Sequence, residues 1–165
     1  AKKIFDLNYN QLEILIHPKS YLHAIVKFTN GLTKILIHDT DMKIPIFNSL
    51  FPKFEKKIKT NKLNKFILNN LNLTNVDIKK FPVVNIIKTL PNRHTLFETV
   101  LVSANDALVN LFLNKKINFT SISSELLRIS KLNEFKKYKS IKPKNIDEIM
   151  KLAQYVSLKT RTLSI

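Results

Sequence analysis

The side chains here that could do acid–base or metal chemistry are four histidines, His17, His23, His38 and His94, with the nearby acids Asp39 and Asp41. Imidazole is the commonest metal ligand and a proton acceptor near neutral pH. A metal site needs several such donors at ligand spacing. These histidines match no ligand motif, and two acids are too few to complete one. They therefore read as structural or surface residues, and no metal ligand is assigned. With no cysteine in the chain, disulfides, thiolate metal sites and cysteine catalysis are excluded. Asn105 and Asp106 lie mid-helix on an apolar segment, unusual for their propensity. Their placement predicts a structural role, such as satisfying a loop across the core.

Two lysine clusters offer a different chemistry. Lys53, Lys56, Lys57, Lys59, Lys62 and Lys65 are opposed only by Glu55, and Lys136, Lys137, Lys139, Lys142 and Lys144 surround Tyr138. Such clusters neutralise phosphates in a salt-sensitive, largely sequence-independent way. The whole chain carries 28 Lys and Arg against 12 Asp and Glu, a formal charge of +16. A field of that sign attracts RNA, DNA or an anionic membrane surface. The bland alternative is coding bias, since AT-rich sequence inflates Lys, Asn and Ile and depletes glycine, of which only Gly31 is present. No aromatic platform or KH-type loop accompanies the lysines.

The elements that must position these groups fall into an α+β arrangement: a small, mostly antiparallel sheet with helices, then a C-terminal helical bundle. Leu12–Ile16 and Ala24–Phe28 are β-rich, Asn30-Gly31 is the strongest hairpin signal, and Thr33–His38 is the returning strand, with Phe28 and Ile35 placed to pair. Residues 45–51 read as a short helix with Pro45 in its first turn and Pro52 ending it. Residues 53–80 read as an irregular basic connector anchored by Phe54, Ile58, Leu63, Phe66, Leu71 and Leu73. The period then becomes helical. Pro82 opens one helix. Phe97, Val100, Leu101, Ala104, Leu108, Leu111 and Phe112 share a face of the next. A third spans Thr120–Ile129 with Ser123 or Ser124 as cap. A fourth is capped by Asn145, with Asp147 and Glu148 in its first turn and Ile149, Leu152, Ala153, Val156 and Leu158 as its apolar face. The corresponding regions are 1–52, 53–80 and 81–165. At 44% hydrophobic residues the chain can bury a core. No apolar run is long enough to span a bilayer, and Ala1-Lys2-Lys3-Ile4 does not read as a signal peptide.

Several of these segments resemble the 1-deoxy-D-xylulose 5-phosphate (DXP) reductoisomerase family, in order and over almost the whole chain. The similarity is densest from Gln11 to Pro45, the family's linker and dimerisation region. Ile14-Leu15-Ile16-His17-Pro18-Lys19-Ser20 and Tyr21-Leu22-His23-Ala24 match its Ile-His-Pro-Gln-Ser and Val-Ile-His-Ser runs. Asp41-Met42 and Pro45-Ile46 match its Pro-Asp-Met loop and Pro-Ile, with Thr40 in place of the loop's proline. Phe51-Pro52, Phe81-Pro82 and Val102-Ser103-Ala104-Asn105-Asp106 follow in register with its later motifs.

The resemblance implies an enzyme that uses NADPH and a divalent metal, but it also implies that the parts holding both precede this segment. A Gly-rich turn lets backbone amides approach nucleotide phosphates, and Gly31 stands alone. The family's metal carboxylates and substrate-phosphate residues match positions upstream of Ile4-Phe5. His17, Asp41 and Met42 are the family positions near the active site that remain, with the Asp-Met loop implied to pack near the nicotinamide. They read as vestigial. No cofactor is expected unless the missing domain is supplied elsewhere, and no catalysis by the chain alone. Together with the charge, this leads to the expectation of a non-catalytic, repurposed structural subunit of an organellar RNA–protein assembly, most concretely a ribosome in a mitochondrion or plastid. It would bind RNA through the lysine clusters, contact protein subunits of that complex, and have homodimerisation as an option. The alternative is a fragment of an active reductoisomerase of the non-mevalonate isoprenoid pathway.

Overall fold

In the computed structural model, which describes residues 2–53 and 56–164, a short helix α1 (Lys2–Phe5) and a 3-10 turn at Tyr9–Gln11 precede the strands β1 (Leu15–Ile16), β2 (Leu22–Lys27), β3 (Thr33–Ile37) and β4 (Thr74–Asn75). Phe54 and Glu55, expected as an apolar anchor and as the acid opposing the first lysine cluster, lie outside the described residues.

β2 and β3 form an antiparallel hairpin whose loop is Thr29-Asn30-Gly31. The Gly31 N–H donates to the Phe28 carbonyl at 3.0 Å, and the Phe28 N–H donates to the Leu32 carbonyl at 2.8 Å. Gly31 has φ +87, a left-handed conformation that any Cβ would strain. Three-residue loops of this kind end in such a residue. Phe28 therefore faces Leu32, while Ile35 faces Ile25, a correction to the expected Phe28–Ile35 pairing. β1 pairs with β4, Leu15 opposite Asn75 and Ile16 opposite Thr74. The antiparallel character holds, as two separate two-stranded ladders among the described residues.

Helix α2 (Lys43–Leu50) carries Pro45 in its first turn, where the missing N–H costs nothing. The lysine-rich connector is irregular over residues 57–64, then forms α3 (Lys65–Asn69), capped by the Asn64 side chain accepting from the Ile67 N–H at 3.0 Å. Residues 14–76 make one compact unit, and residues 1–13 with 77–165 make the other. The divisions expected from sequence fall after residues 52 and 80.

The second unit holds α4 (Val84–Lys88), α5 (Phe97–Leu113), α6 (Phe119–Ser130), α7 (Asn133–Lys136) and α8 (Ile146–Leu163). α5 is its axis. Phe97, Val100, Ala104, Ala107, Leu108 and Leu111 are buried along one stripe. They pack with Ile129 of α6, Phe135 of α7 and Val156 of α8, all three fully buried. The small side chains Ala104 and Ala107 allow close helix approach. Thr95 and Glu98 brace the start of α5: Glu98 Oε2 accepts from the Thr95 N–H at 2.9 Å and from Thr95 Oγ1 at 3.0 Å, and Thr95 Oγ1 accepts from the Phe97 N–H at 3.4 Å. Asn145 caps α8 as expected, accepting from the Glu148 N–H at 2.8 Å.

Three details differ from the sequence reading. α6 has Asn118 at its N-cap without a side-chain cap bond, and Ser123 and Ser124 lie inside the helix. Leu158 is 71% exposed, because two residues beyond Val156 a helix has turned to its opposite side. The buried position of that stripe belongs to Thr160. Asn105 is half-buried and Asp106 exposed, and neither side chain bonds across the core among the described residues.

Candidate functional site

The unit formed by residues 14–76 contains His17, His23, His38, Asp39, Asp41 and Met42, whereas His94 is exposed in the other unit. His17 follows β1 and is buried. Its Nδ1 lies 3.2 Å from the Asn72 carbonyl, just before β4. A carbonyl only accepts, so Nδ1 is the donor in this contact. Nε2 is buried with no hydrogen-bond partner among the described residues. The chain turns back immediately after, with the Ser20 N–H donating to the His17 carbonyl at 2.9 Å and Ser20 at φ +49.

His23 is the extra residue of a bulge: Leu22 stands opposite Ile37 and Ala24 opposite Leu36, leaving His23 without a strand partner. Bulges re-aim a side chain out of the ladder. Here the His23 ring stacks on His38, with centroids 3.6 Å apart and planes at 7°. His23 Nε2 also reaches the His38 carbonyl at 3.1 Å. The stack was missed in the sequence because alternation along an unbroken strand would not bring these two rings together. Parallel rings direct their in-plane lone pairs side by side rather than toward one ion. Among the described residues, no group of three or more His, Cys, Asp or Glu side chains is placed to hold a metal.

Beyond His38 the chain forms the loop that leads into α2. Asp41 Oδ1 accepts from the Lys43 N–H at 2.9 Å and so fixes the start of the helix. Met42 is 63% exposed at the tip. The structure thus places His17, the stacked pair and the Asp41-Met42 loop in one unit, each held by backbone contacts.

The lysines behave as surface residues. Lys53, Lys56, Lys57, Lys59, Lys62 and Lys65 are exposed in one unit, with the Lys56 ammonium 4.2 Å from the Phe51 ring centroid. Lys136, Lys137, Lys142 and Lys144 are exposed and Lys139 half-buried in the other, where Lys137 lies over Tyr138 and Lys139 over Phe97. No helix is long and apolar enough to cross a membrane among the described residues.

The fold is that of the C-terminal part of a reductoisomerase. The chain superposes on a 1-deoxy-D-xylulose 5-phosphate reductoisomerase from Zymomonas mobilis in complex with NADPH at TM-score 0.77 and 24% identity, covering 99% of this chain and 42% of that one. A DOX-P reductoisomerase in complex with NADPH, fosmidomycin and magnesium gives TM-score 0.78 at 24% identity, covering 99% and 40%. Residues 37–157 match the DXP reductoisomerase C-terminal domain, and the chain belongs to that family. The 1-deoxy-D-xylulose 5-phosphate reductoisomerase of Pelagibacter ubique (strain HTCC1062) is 59% identical over 165 residues, all of this chain and 42% of its own length. That of Aquifex aeolicus (strain VF5) is 30% identical over 165 residues, 99% of this chain and 42% of its own length. The chain therefore spans about two fifths of these curated relatives.

These findings overturn the expectation of a repurposed ribosomal subunit. Identity to an enzyme runs along the whole chain, and nothing in the comparisons points to RNA, a ribosome or an organelle. The excess charge had carried that expectation, and net charge speaks to association rather than to descent.

Proposed function

We propose that the chain is the C-terminal part of a 1-deoxy-D-xylulose 5-phosphate reductoisomerase and acts within that whole enzyme. The observation that carries this reading is the 59% identity to the Pelagibacter ubique enzyme along all 165 residues. The described residues do not themselves fit NADPH phosphates or a divalent metal. The single glycine closes a hairpin, and no cluster of three potential ligands exists among the described residues. Both groups belong, in this reading, to the part of the enzyme outside these residues, and no step of the reaction is derived through them.

What this chain contributes is position. Asp41 holds the loop that presents Met42, an apolar and adaptable side chain suited to lie against the nicotinamide and keep water from it. His17 ties β1 to the approach of β4 within the unit that also carries that loop. The exposed apolar side chains Ile25, Val26, Ile35 and Leu36 of the β2–β3 ribbon suit a second copy of the chain, because an isolated two-stranded ribbon is marginal in water.

The test is a chimera in which this chain replaces the matching segment of the Pelagibacter ubique enzyme. NADPH oxidation on addition of 1-deoxy-D-xylulose 5-phosphate, at a rate near the parent's, supports the reading. A folded chimera that binds NADPH yet turns over no substrate, beside an active parent, overturns it. Sedimentation of the same chimera decides the dimer.

A further inference from the structure

We propose that Asn30 is a site of spontaneous self-modification, deamidating through a succinimide formed with Gly31. Asn30 and Gly31 sit exposed at the tip of the β2–β3 hairpin. Asn30 Oδ1 accepts from the Leu32 N–H at 3.1 Å. That bond polarises the side-chain carbonyl and stabilises the negative charge its oxygen gains when Cγ is attacked. The attacking atom is the Gly31 backbone nitrogen. Gly31 has no Cβ, and apart from its two chain neighbours no residue comes within 4 Å of where one would project, so no other part of the fold crowds the forming ring.

In the step itself the Gly31 nitrogen loses its proton and bonds to Asn30 Cγ. The Cγ–Nδ2 bond breaks, and the side-chain nitrogen leaves as ammonia. Water then opens the imide at either carbonyl, giving aspartate or isoaspartate at position 30. Water is the only co-reactant. One contact restrains the reaction: the Gly31 N–H donates to the Phe28 carbonyl at 3.0 Å and must release it before the nitrogen can attack. The rate is therefore gated by opening of the hairpin tip. The product matters to the fold, because isoaspartate inserts an extra methylene into the backbone between Asn30 and Gly31. It also adds a carboxylate where the loop closes on Phe28 and Leu32.

The chain supplies its own controls. Asn72, Asn110 and Asn145 are followed by Leu73, Leu111 and Ile146, whose side chains hinder the same ring closure. Asn110 and Asn145 are further restrained at a helix interior and a helix cap. The experiment is incubation of the full 165-residue chain at mildly alkaline pH, with peptide mapping by mass spectrometry and enzymatic methylation of isoaspartate. Oxygen replacing NH should accumulate at Asn30 at least about tenfold faster than at Asn72, Asn110 or Asn145, a ratio equivalent to a barrier difference of ~1.4 kcal/mol. Denaturant should accelerate it by freeing the Gly31 N–H. Gly31→Ala should slow it strongly and Asn30→Gln should abolish it, each checked for folding by circular dichroism. Asn30 surviving as long as the other three asparagines in the unaltered chain overturns the proposal, whatever the variants do.

Discussion

The Nδ1 of His17 meets the carbonyl oxygen of Asn72 at 3.2 Å, joining residues 55 apart in the sequence. This bond lies beside the only two pairs of the β1–β4 ladder, Leu15 with Asn75 and Ile16 with Thr74. A ladder so short has little hydrogen bonding of its own, so the buried imidazole is a large part of what holds Asn72 and β4 in place.

Replacing His17 with alanine leaves the Asn72 carbonyl without its donor and opens a cavity. The expected cost is about 1–3 kcal/mol, read by urea unfolding. Amide exchange should quicken first at residues 15–16 and 74–75. A His17→Gln variant, whose side-chain amide can still donate, should recover part of the loss. Equal stability of all three proteins would show that the bond does not hold the ladder.

Thr160 is fully buried in α8, and its hydroxyl has no partner among the described residues. Valine has nearly the same shape and no hydroxyl to desolvate. Thr160→Val should therefore raise stability by about 1 kcal/mol, measured as a higher thermal midpoint. Thr160→Ser keeps the hydroxyl and removes a methyl, and should lower it.

Asn145 caps α8 through the Glu148 N–H, while Glu148 Oε2 accepts from the Lys144 N–H at 2.8 Å. Asn145→Ala should cost about 1 kcal/mol, and Asn145→Asp should cost little, because a carboxylate accepts the same bond. Chemical denaturation of the three proteins distinguishes these outcomes.

The end of α8 is tied to α6 by Glu125, which pairs with Arg128 and accepts from Ser164 Oγ at 2.9 Å, while Arg128 also donates to the Leu163 carbonyl. The hydrogen bond from Arg128 is the main cause holding the Glu125 carboxyl below its ordinary value, with Ser164 assisting and partial burial opposing. A carboxyl depressed in the folded state adds stability above its unfolded pKa, and that stability is lost as pH falls through the folded value. The clasp should thus weaken only in acid. The effect should stay below about 1 kcal/mol, because Arg128 is 43% exposed and solvent screens the pair. Unfolding followed against pH should show a shallower acid decline in Glu125→Gln.

Local patterning made much of the fold legible. The stripe from Phe97 to Leu111 predicts α5 because apolar residues at helical spacing have one productive arrangement, with that face buried. Asn145 with Asp147 and Glu148 marks the start of α8, because cap and macrodipole act within one turn. The family was legible too, because Ile-His-Pro, Asp-Met and Pro-Ile keep their order and spacing. The function expected from charge was not, since lysines on a solvated surface carry no record of descent.

What the sequence by itself determined is therefore local: where helices start, which faces they bury, and that Gly31 must turn the chain. Tertiary structure alone decided the rest. The hairpin register was decided by its three-residue loop, which set Phe28 opposite Leu32 rather than Ile35. The His23–His38 stack depended on a bulge, and the His17–Asn72 bond on a backbone carbonyl that every residue type carries alike. Contacts made by backbone groups across long separations leave no mark in side-chain pattern, and they are what position this candidate site.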